Sequence, residues 1–197
     1  MAVLVLASAS PRRQELLRNA GIAFITRPTN IPEVPRKGES PSEFVARMAR
    51  EKALAVFHDS PDDFVLGADT IVIVDGEILG KPRDEGDAAR MLRLLSGRTH
   101  QVMTAVCLVG PLATSHREPK TGFEDKRSET TLVTVGELSE DDIRLYIATG
   151  ESMDKAGAYG IQGLASRWIS RIEGDYFNVV GLPVALVYRM LKEREVF

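Results

Sequence analysis

A mixed α/β fold, a twisted sheet with helices packed around it, is what this sequence predicts. Three observations carry that expectation. Apolar strand patterns and amphipathic helix patterns alternate along most of the 197 residues. Two Gly-Asp turn signals, Asp75-Gly76 and Gly174-Asp175, read as hairpins, which a purely parallel sheet does not contain. At 44% hydrophobic residues the chain can bury a sizeable core, in one large domain or two small lobes.

The elements follow in order. Val3-Leu4-Val5-Leu6 is a short apolar strand. Ser10 suits an N-cap and Pro11 the first helical position, so a helix runs over about residues 10–20. A short extended stretch lies near Ala23-Phe24-Ile25, and a loop with Pro28, Pro32 and Pro35 follows. Ser42 to Val56 reads as a helix, with Phe44, Val45, Met48, Ala49 and Val56 on one face. Phe64 to Val74 is a strand; Asp75-Gly76 turns it, and Glu77-Ile78-Leu79 returns. Asp84 to Leu95 is a helix that stops at Ser96-Gly97, and Thr99 to Val109 is a long strand.

Residues Gly110 to Lys126 are polar, with prolines and glycines, and read as a mobile loop or arm. Thr130 to Val135 is a strand. Ser139, with Asp142 three residues on, starts a helix that Gly150 ends. Gly157 to Gly163 is a glycine-rich turn region. Trp168 to Ile172 and Tyr176 to Val180 read as a second hairpin about Gly174-Asp175, and a last helix spans about Leu182 to Glu193. There are no internal repeats.

Composition excludes some roles. A net charge of −3 gives no general attraction to nucleic acid or to an anionic membrane. No apolar run approaches the roughly 20 residues that span a bilayer. The first strand has no basic region before it, so no signal peptide is expected, and a cytoplasmic location is. The single cysteine, Cys107, sits in the apolar run Val106-Cys107-Leu108-Val109 and reads as an inert core thiol.

Chemistry is first suggested by Ser10-Pro11-Arg12-Arg13-Gln14. Arg12 and Arg13 fall in the first helical turn, where the positive end of the helix dipole disfavours cations by roughly 0.3–1 kcal/mol each. Free N–H groups at a helix start and two guanidinium forks together form a phosphate site. The plainer alternative is a pair of solvated arginines.

Asp69 is the second candidate. In Val65-Leu66-Gly67-Ala68-Asp69-Thr70-Ile71-Val72-Ile73, alternation puts it on the face of Val65, Ile71 and Ile73. A carboxylate there is costly unless it meets a metal, a cation or hydrogen-bond donors. Continuing the hairpin register from Val74–Glu77 sets Thr70 opposite Lys81, which brings Lys81 diagonal to Asp69. Asp69 and Thr70 themselves should face opposite sides. Lys52 continues the helical stripe of Phe44 and Met48, and either points into a cleft or snorkels to the rim. Glu33, beside Asp69, would be a second oxygen ligand for Mg²⁺. Gly76 to Pro82 is one residue too short for a P-loop, and His58, His100 and His116 lack zinc-ligand spacing.

Taken together, Leu6-Ala7-Ser8-Ala9-Ser10-Pro11-Arg12-Arg13, Gly67-Ala68-Asp69-Thr70, Gly80-Lys81-Pro82, Ser96-Gly97-Arg98-Thr99-His100, Asp154-Lys155-Ala156-Gly157-Ala158-Tyr159-Gly160-Ile161-Gln162-Gly163 and Val180-Gly181-Leu182-Pro183 resemble the Maf family of nucleoside triphosphate pyrophosphatases, once described as septum-formation inhibitors. The resemblance spans nearly the whole chain. It implies a single domain of two lobes around a cleft, related to the inosine triphosphate pyrophosphatases, acting in the cytoplasm as a homodimer. It implies a divalent cation, Mg²⁺ or Mn²⁺, with Asp69 as the active-site acid and Glu33 as a further ligand. Phosphate binding then falls to Ser8, Ser10, Arg12, Arg13, Lys52 and Lys81, and substrate selection to Arg12, Thr70 and Gln162. Neither nucleic acid nor membrane is an implied partner.

Two departures from the family pattern stand out. Pro32-Glu33 occupies a place where two acids are common. Leu132 to Gly136 lacks the Phe common after the strand valine, and the stretch from Gly110 to Lys126 is long.

The Ala-Tyr-Gly-Ile-Gln-Gly segment is similar to the branch acting on dTTP and UTP. An amide at Gln162 offers one donor and one acceptor to the N–H and carbonyl of uracil or thymine, although a flipped amide also fits cytosine. The expected reaction is attack of water on the α-phosphorus with loss of pyrophosphate. Two rivals stand beside it: a non-catalytic nucleotide-binding regulator of septation, and a pyrophosphatase for methylated guanosine triphosphate.

Overall fold

The computed structural model describes residues 3–111 and 122–196. Among these residues, seven strands form one mixed sheet in the order β2-β1-β3-β5-β6-β7, with β4 paired to β3 off that path. The strands are β1 (Leu4–Leu6), β2 (Ile25–Thr26), β3 (Phe64–Val74), β4 (Glu77–Leu79), β5 (Thr99–Pro111), β6 (Gly122–Val135) and β7 (Ile169–Glu173). The helices are α1 (Pro11–Asn19), α2 (Pro41–Phe57), α3 (Glu85–Leu95), α4 (Glu140–Ala148), α5 (Tyr176–Val180) and α6 (Val184–Glu193). β1 runs parallel to both β2 and β3, whereas β3/β4 and β6/β7 are antiparallel. The expected mixed α/β sheet is therefore present.

The chain divides into two compact units. One comprises Met1–Asp69, Thr104–Glu129 and Gly181–Phe197; the other comprises Thr70–Met103 and Thr130–Val180. In the first, Val5, Leu6, Leu17, Val45, Met48, Leu66, Leu108 and Met190 are fully buried. In the second, Val72, Leu79, Met91, Leu92, Leu95, Val133, Ile143 and Tyr146 belong to one apolar cluster.

Local signals explain the helix starts. Ser10 caps α1 by accepting from the Arg13 N–H. Ser40 and Glu43 close a reciprocal capping box on α2, and Ser139 and Asp142 do the same on α4. Asp84 caps α3 through the Asp87 N–H. Cys107 is buried and its thiol is pushed up to about 12 by desolvation, the inert core thiol that its apolar strand suggests.

Three expectations change. The hairpin at Asp75-Gly76 has the expected register, Val74 opposite Glu77, but pairing ends at Val72–Leu79. Lys81 thus lies beyond the ladder that was to set it opposite Thr70. Tyr176 to Val180 is a short helix rather than a strand. The Asp175 carboxylate accepts from the Phe177 N–H at 2.8 Å, and Asn178 turns inward to donate to Val102 O and Thr131 Oγ1. That local cap overrides the β-propensity of the Tyr-Phe and Val-Val pairs. Finally, Gly110–Pro111 and Gly122–Lys126 are strand, not loop; the rest of that stretch, 112–121, lies outside the described residues. The start of β6 carries charged side chains while its backbone pairs with a buried β5, so its composition reads as loop.

Candidate active site

The site grows from the close approach of α2 to β3. A Cβ on Gly67 would stand 2.1 Å from Ala49 O and 2.7 Å from Ala53 N. Only glycine permits this contact. Ala53 follows Lys52 on α2, and Asp69 lies two residues along β3 on the same face as Gly67. The result is a buried ion pair: Lys52 Nζ donates to Asp69 Oδ1 at 2.7 Å, with Lys52 8% and Asp69 5% exposed. Lys52 is thus buried against Asp69 and does not snorkel to the rim.

Lys52 also donates to Glu33 Oε1. Glu33 lies in the proline loop, which Arg47 of α2 fastens down. Arg47 Nη2 donates to Val34 O at 3.0 Å, and its Nε to Glu39 Oε1 at 2.6 Å. Arg47 holds the Glu39 carboxyl well below its ordinary range, at about 2. The loop thus presents Glu33 to the same ammonium that faces Asp69.

Arg13 completes the surroundings of Asp69. It is buried, with Nε donating to Gly181 O at 2.8 Å and Nη1 to Ala68 O at 2.9 Å and Ser8 Oγ at 3.2 Å. Ser8 Oγ in turn accepts from the Ser10 N–H. Arg13 is therefore tied into the backbone next to the acid, whereas Arg12 is half-buried. Burial pulls the Arg13 guanidinium below its usual range, against the charges of Asp69 and Glu33. Burial likewise raises the Asp69 carboxyl above the ordinary carboxylate range, against the pull of Lys52 and Arg13.

Ser8, Ser10, Arg13, Glu33, Lys52 and Asp69 thus form one connected set, and Arg12 adjoins it in sequence. Thr70, Lys81 and Gln162 belong to the second unit. There Thr70 is half-buried, while Lys81 and Gln162 are exposed. The Gly157 N–H donates to Gly80 O at 3.1 Å, joining the Lys81 loop to the glycine-rich turn that carries Gln162.

Sequence reasoning did not find several supporting residues. Ser40 and Glu43 had a legible signal in their Ser-x-x-Glu spacing; Arg47 had none. His100, expected to carry no zinc, is buried against Tyr159, with Nε2 2.7 Å from the Tyr159 hydroxyl.

Two hard oxygen donors, Glu33 and Asp69, converge on one cationic nitrogen. That donor set fits a Mg²⁺ or Mn²⁺ ion that draws its other ligands from phosphate and water. Among the described residues, no three His, Cys, Asp or Glu side chains are grouped to hold a metal by themselves. No helix among them is long and apolar enough to cross a membrane.

Comparison with known proteins places the chain in a family. A dTTP/UTP pyrophosphatase of Koribacter versatilis is 58% identical over 189 residues, covering 96% of this chain and 93% of its own. Proteins of the same description from Bacillus velezensis and Clostridioides difficile are 50% and 45% identical, each over 190 residues. They cover 96% of this chain, and 95% and 94% of their own lengths. The family model described as "Maf-like protein" matches residues 3–194. On a match that spans residues 3–194, this chain belongs to the Maf family.

Proposed function

We propose that this protein is a nucleoside triphosphate pyrophosphatase that hydrolyses dTTP and UTP to the nucleoside monophosphate and pyrophosphate. The dTTP/UTP pyrophosphatases at 45–58% identity support the substrate pair. The observation that carries the chemistry is Asp69, a buried carboxylate raised by desolvation and held against Lys52.

A water molecule attacks the α-phosphorus, the bond from that phosphorus to the bridging oxygen breaks, and pyrophosphate leaves. Asp69 accepts the proton that water loses. A raised carboxyl is the better base near neutral pH, since the base strength of its ionised form rises with its pKa. Lys52, Arg12 and Lys81 neutralise the phosphates, and positioning and charge supply most of the rate in such reactions. Ser8, Ser10 and Arg13 hold the start of α1, where the positive end of the helix dipole favours an anion. Glu33 and Asp69 would hold a Mg²⁺ or Mn²⁺ ion, which when bound adds positive charge beside the phosphates. Arg12, Thr70 and Gln162 select the base. The family resemblance supports action in the cytoplasm as a homodimer.

The test is pyrophosphate release from a panel of ordinary and methylated nucleoside triphosphates, with Mg²⁺ or Mn²⁺ and with Asp69→Asn as control. Turnover of dTTP and UTP that disappears in Asp69→Asn is expected. Binding without turnover would give the regulator reading instead, and preference for methylated guanosine triphosphate would overturn the base assignment.

A further inference from the structure

The residues next to Gln162 form a closed turn with an external clamp. The Gly163 N–H donates to Gly160 O at 3.1 Å, so Gly160-Ile161-Gln162-Gly163 is a four-residue turn with Gln162 exposed on it and Ile161 buried beneath. Each flank is fixed by one neighbour. The Tyr146 hydroxyl accepts from the Gly160 N–H at 3.3 Å and donates to Glu151 Oε1 at 3.0 Å. The other carboxylate oxygen, Glu151 Oε2, accepts from the Leu164 N–H at 3.1 Å.

The turn has room for that carboxylate only because position 163 has no side chain. A Cβ on Gly163 would stand 2.0 Å from Glu151 Oε1. Tyr146 is itself held: it is 3% exposed, and its ring meets the edge of Trp168 at a centroid distance of 5.5 Å. Lys155 Nζ donates to Glu151 O at 2.6 Å, which fixes the backbone from which the carboxylate reaches. Neither Tyr146 nor Glu151 has a part in the phosphate chemistry above.

We propose that Glu151 and Tyr146 are positioning residues for base selection: they clamp both ends of the Gly160–Gly163 turn and so fix where Gln162 presents its amide to a pyrimidine. This rests on Gln162 as the group that reads the base. A turn anchored at one end only would let the amide wander, and selectivity between bases depends on its donor and acceptor meeting their partners.

The test measures kcat and KM for UTP, dTTP and GTP in wild type, Tyr146→Phe, Glu151→Ala, Glu151→Gln and Gln162→Ala, with far-UV circular dichroism for each. Tyr146→Phe and Glu151→Ala should lower the ratio of kcat/KM for UTP over GTP by roughly tenfold, mainly through KM for UTP. Glu151→Gln should recover much of the ratio, since its carbonyl still accepts from the Leu164 N–H and its amide donates to the Tyr146 hydroxyl. If Gln162→Ala lowers the ratio while Tyr146→Phe and Glu151→Ala leave it unchanged, the clamp idea falls and the base reading stands. Equal loss for all three nucleotides would mean a merely structural role and also overturn it. An unchanged ratio in Gln162→Ala would remove the base reading, and the clamp's purpose with it. Should Glu151→Ala fail to fold, Tyr146→Phe decides, because it removes a single oxygen.

Discussion

Lys52 and Asp69 meet at 2.7 Å because the glycine at position 67 lets a helix and a strand touch backbone to backbone. The ion pair is thus a product of packing. Gly67→Ala would force a methyl group against Ala49 O and Ala53 N, both backbone atoms that cannot step aside singly. The expected cost is about 3 kcal/mol or more. Urea unfolding measures it, and activity should fall further than stability alone explains, since Lys52 moves away from Asp69. A variant of wild-type stability would show that α2 can shift without loss.

Removing the cation tests the electrostatics directly. Lys52→Met takes away a charge and a hydrogen bond that hold the Asp69 carboxyl down, while the desolvation that raises it remains. The Asp69 pKa therefore rises further. If Asp69 must be ionised to take a proton from water, the acidic limb of the kcat/KM profile moves to higher pH. Stability should drop by up to about 3 kcal/mol, the lower end for breaking a buried pair, because Asp69 can take up a proton. An unmoved acidic limb would argue against Asp69 as the base.

The two neighbouring arginines should behave differently. Arg13→Lys keeps the charge but cannot reproduce a guanidinium that reaches Gly181 O, Ala68 O and Ser8 Oγ together. A melting experiment should show a loss of about 2–4 kcal/mol, the scale of one or two buried charge-assisted bonds. Arg12→Met, at a half-buried position, should instead raise the KM for the triphosphate with little change in melting. The opposite pattern would exchange their roles.

Much of this was legible in the sequence, and the reason is locality. Ser10-Pro11 marks a helix start, Asp75-Gly76 a hairpin, and the apolar stripe through Phe44 and Met48 sets Lys52 on the buried face of α2, although periodicity leaves snorkelling to the rim equally open. Asp69 was visible as an acid on an apolar strand face. What could not be read depends on segments far apart in sequence. Nothing near Glu33 announces that Arg47 pins its loop to α2, and nothing near Gln162 announces that Tyr146 and Glu151 bracket its turn. The misplaced strand at Tyr176 to Val180 has the converse cause: one carboxylate, Asp175, caps a helical turn that alternation reads as β. The Thr70–Lys81 register failed because a ladder was extended past its last pair, Val72–Leu79, where Gly80 O turns to accept from Gly157 instead.

A buried histidine gives the last prediction its sign. His100 is 2% exposed, its Nε2 faces the Tyr159 hydroxyl, and its Nδ1 has no hydrogen-bond partner among the described residues. Burial alone lowers its pKa from the ordinary 6.5 to about 4. The unfolded chain therefore binds a proton at higher pH than the folded protein does. Above the unfolded value His100 is neutral in both states and contributes no pH dependence. As pH falls from 6.5 towards 4, the unfolded state is favoured progressively, and below about 4 the penalty is complete. A shift of this size is worth about 3 kcal/mol at the low end of that window. Denaturant titrations between pH 7 and 4 should show the fall in wild type and a shallower one in His100→Gln, which cannot take up a proton. Parallel curves for the two proteins would mean that other groups, and not His100, set the acid limit of the fold.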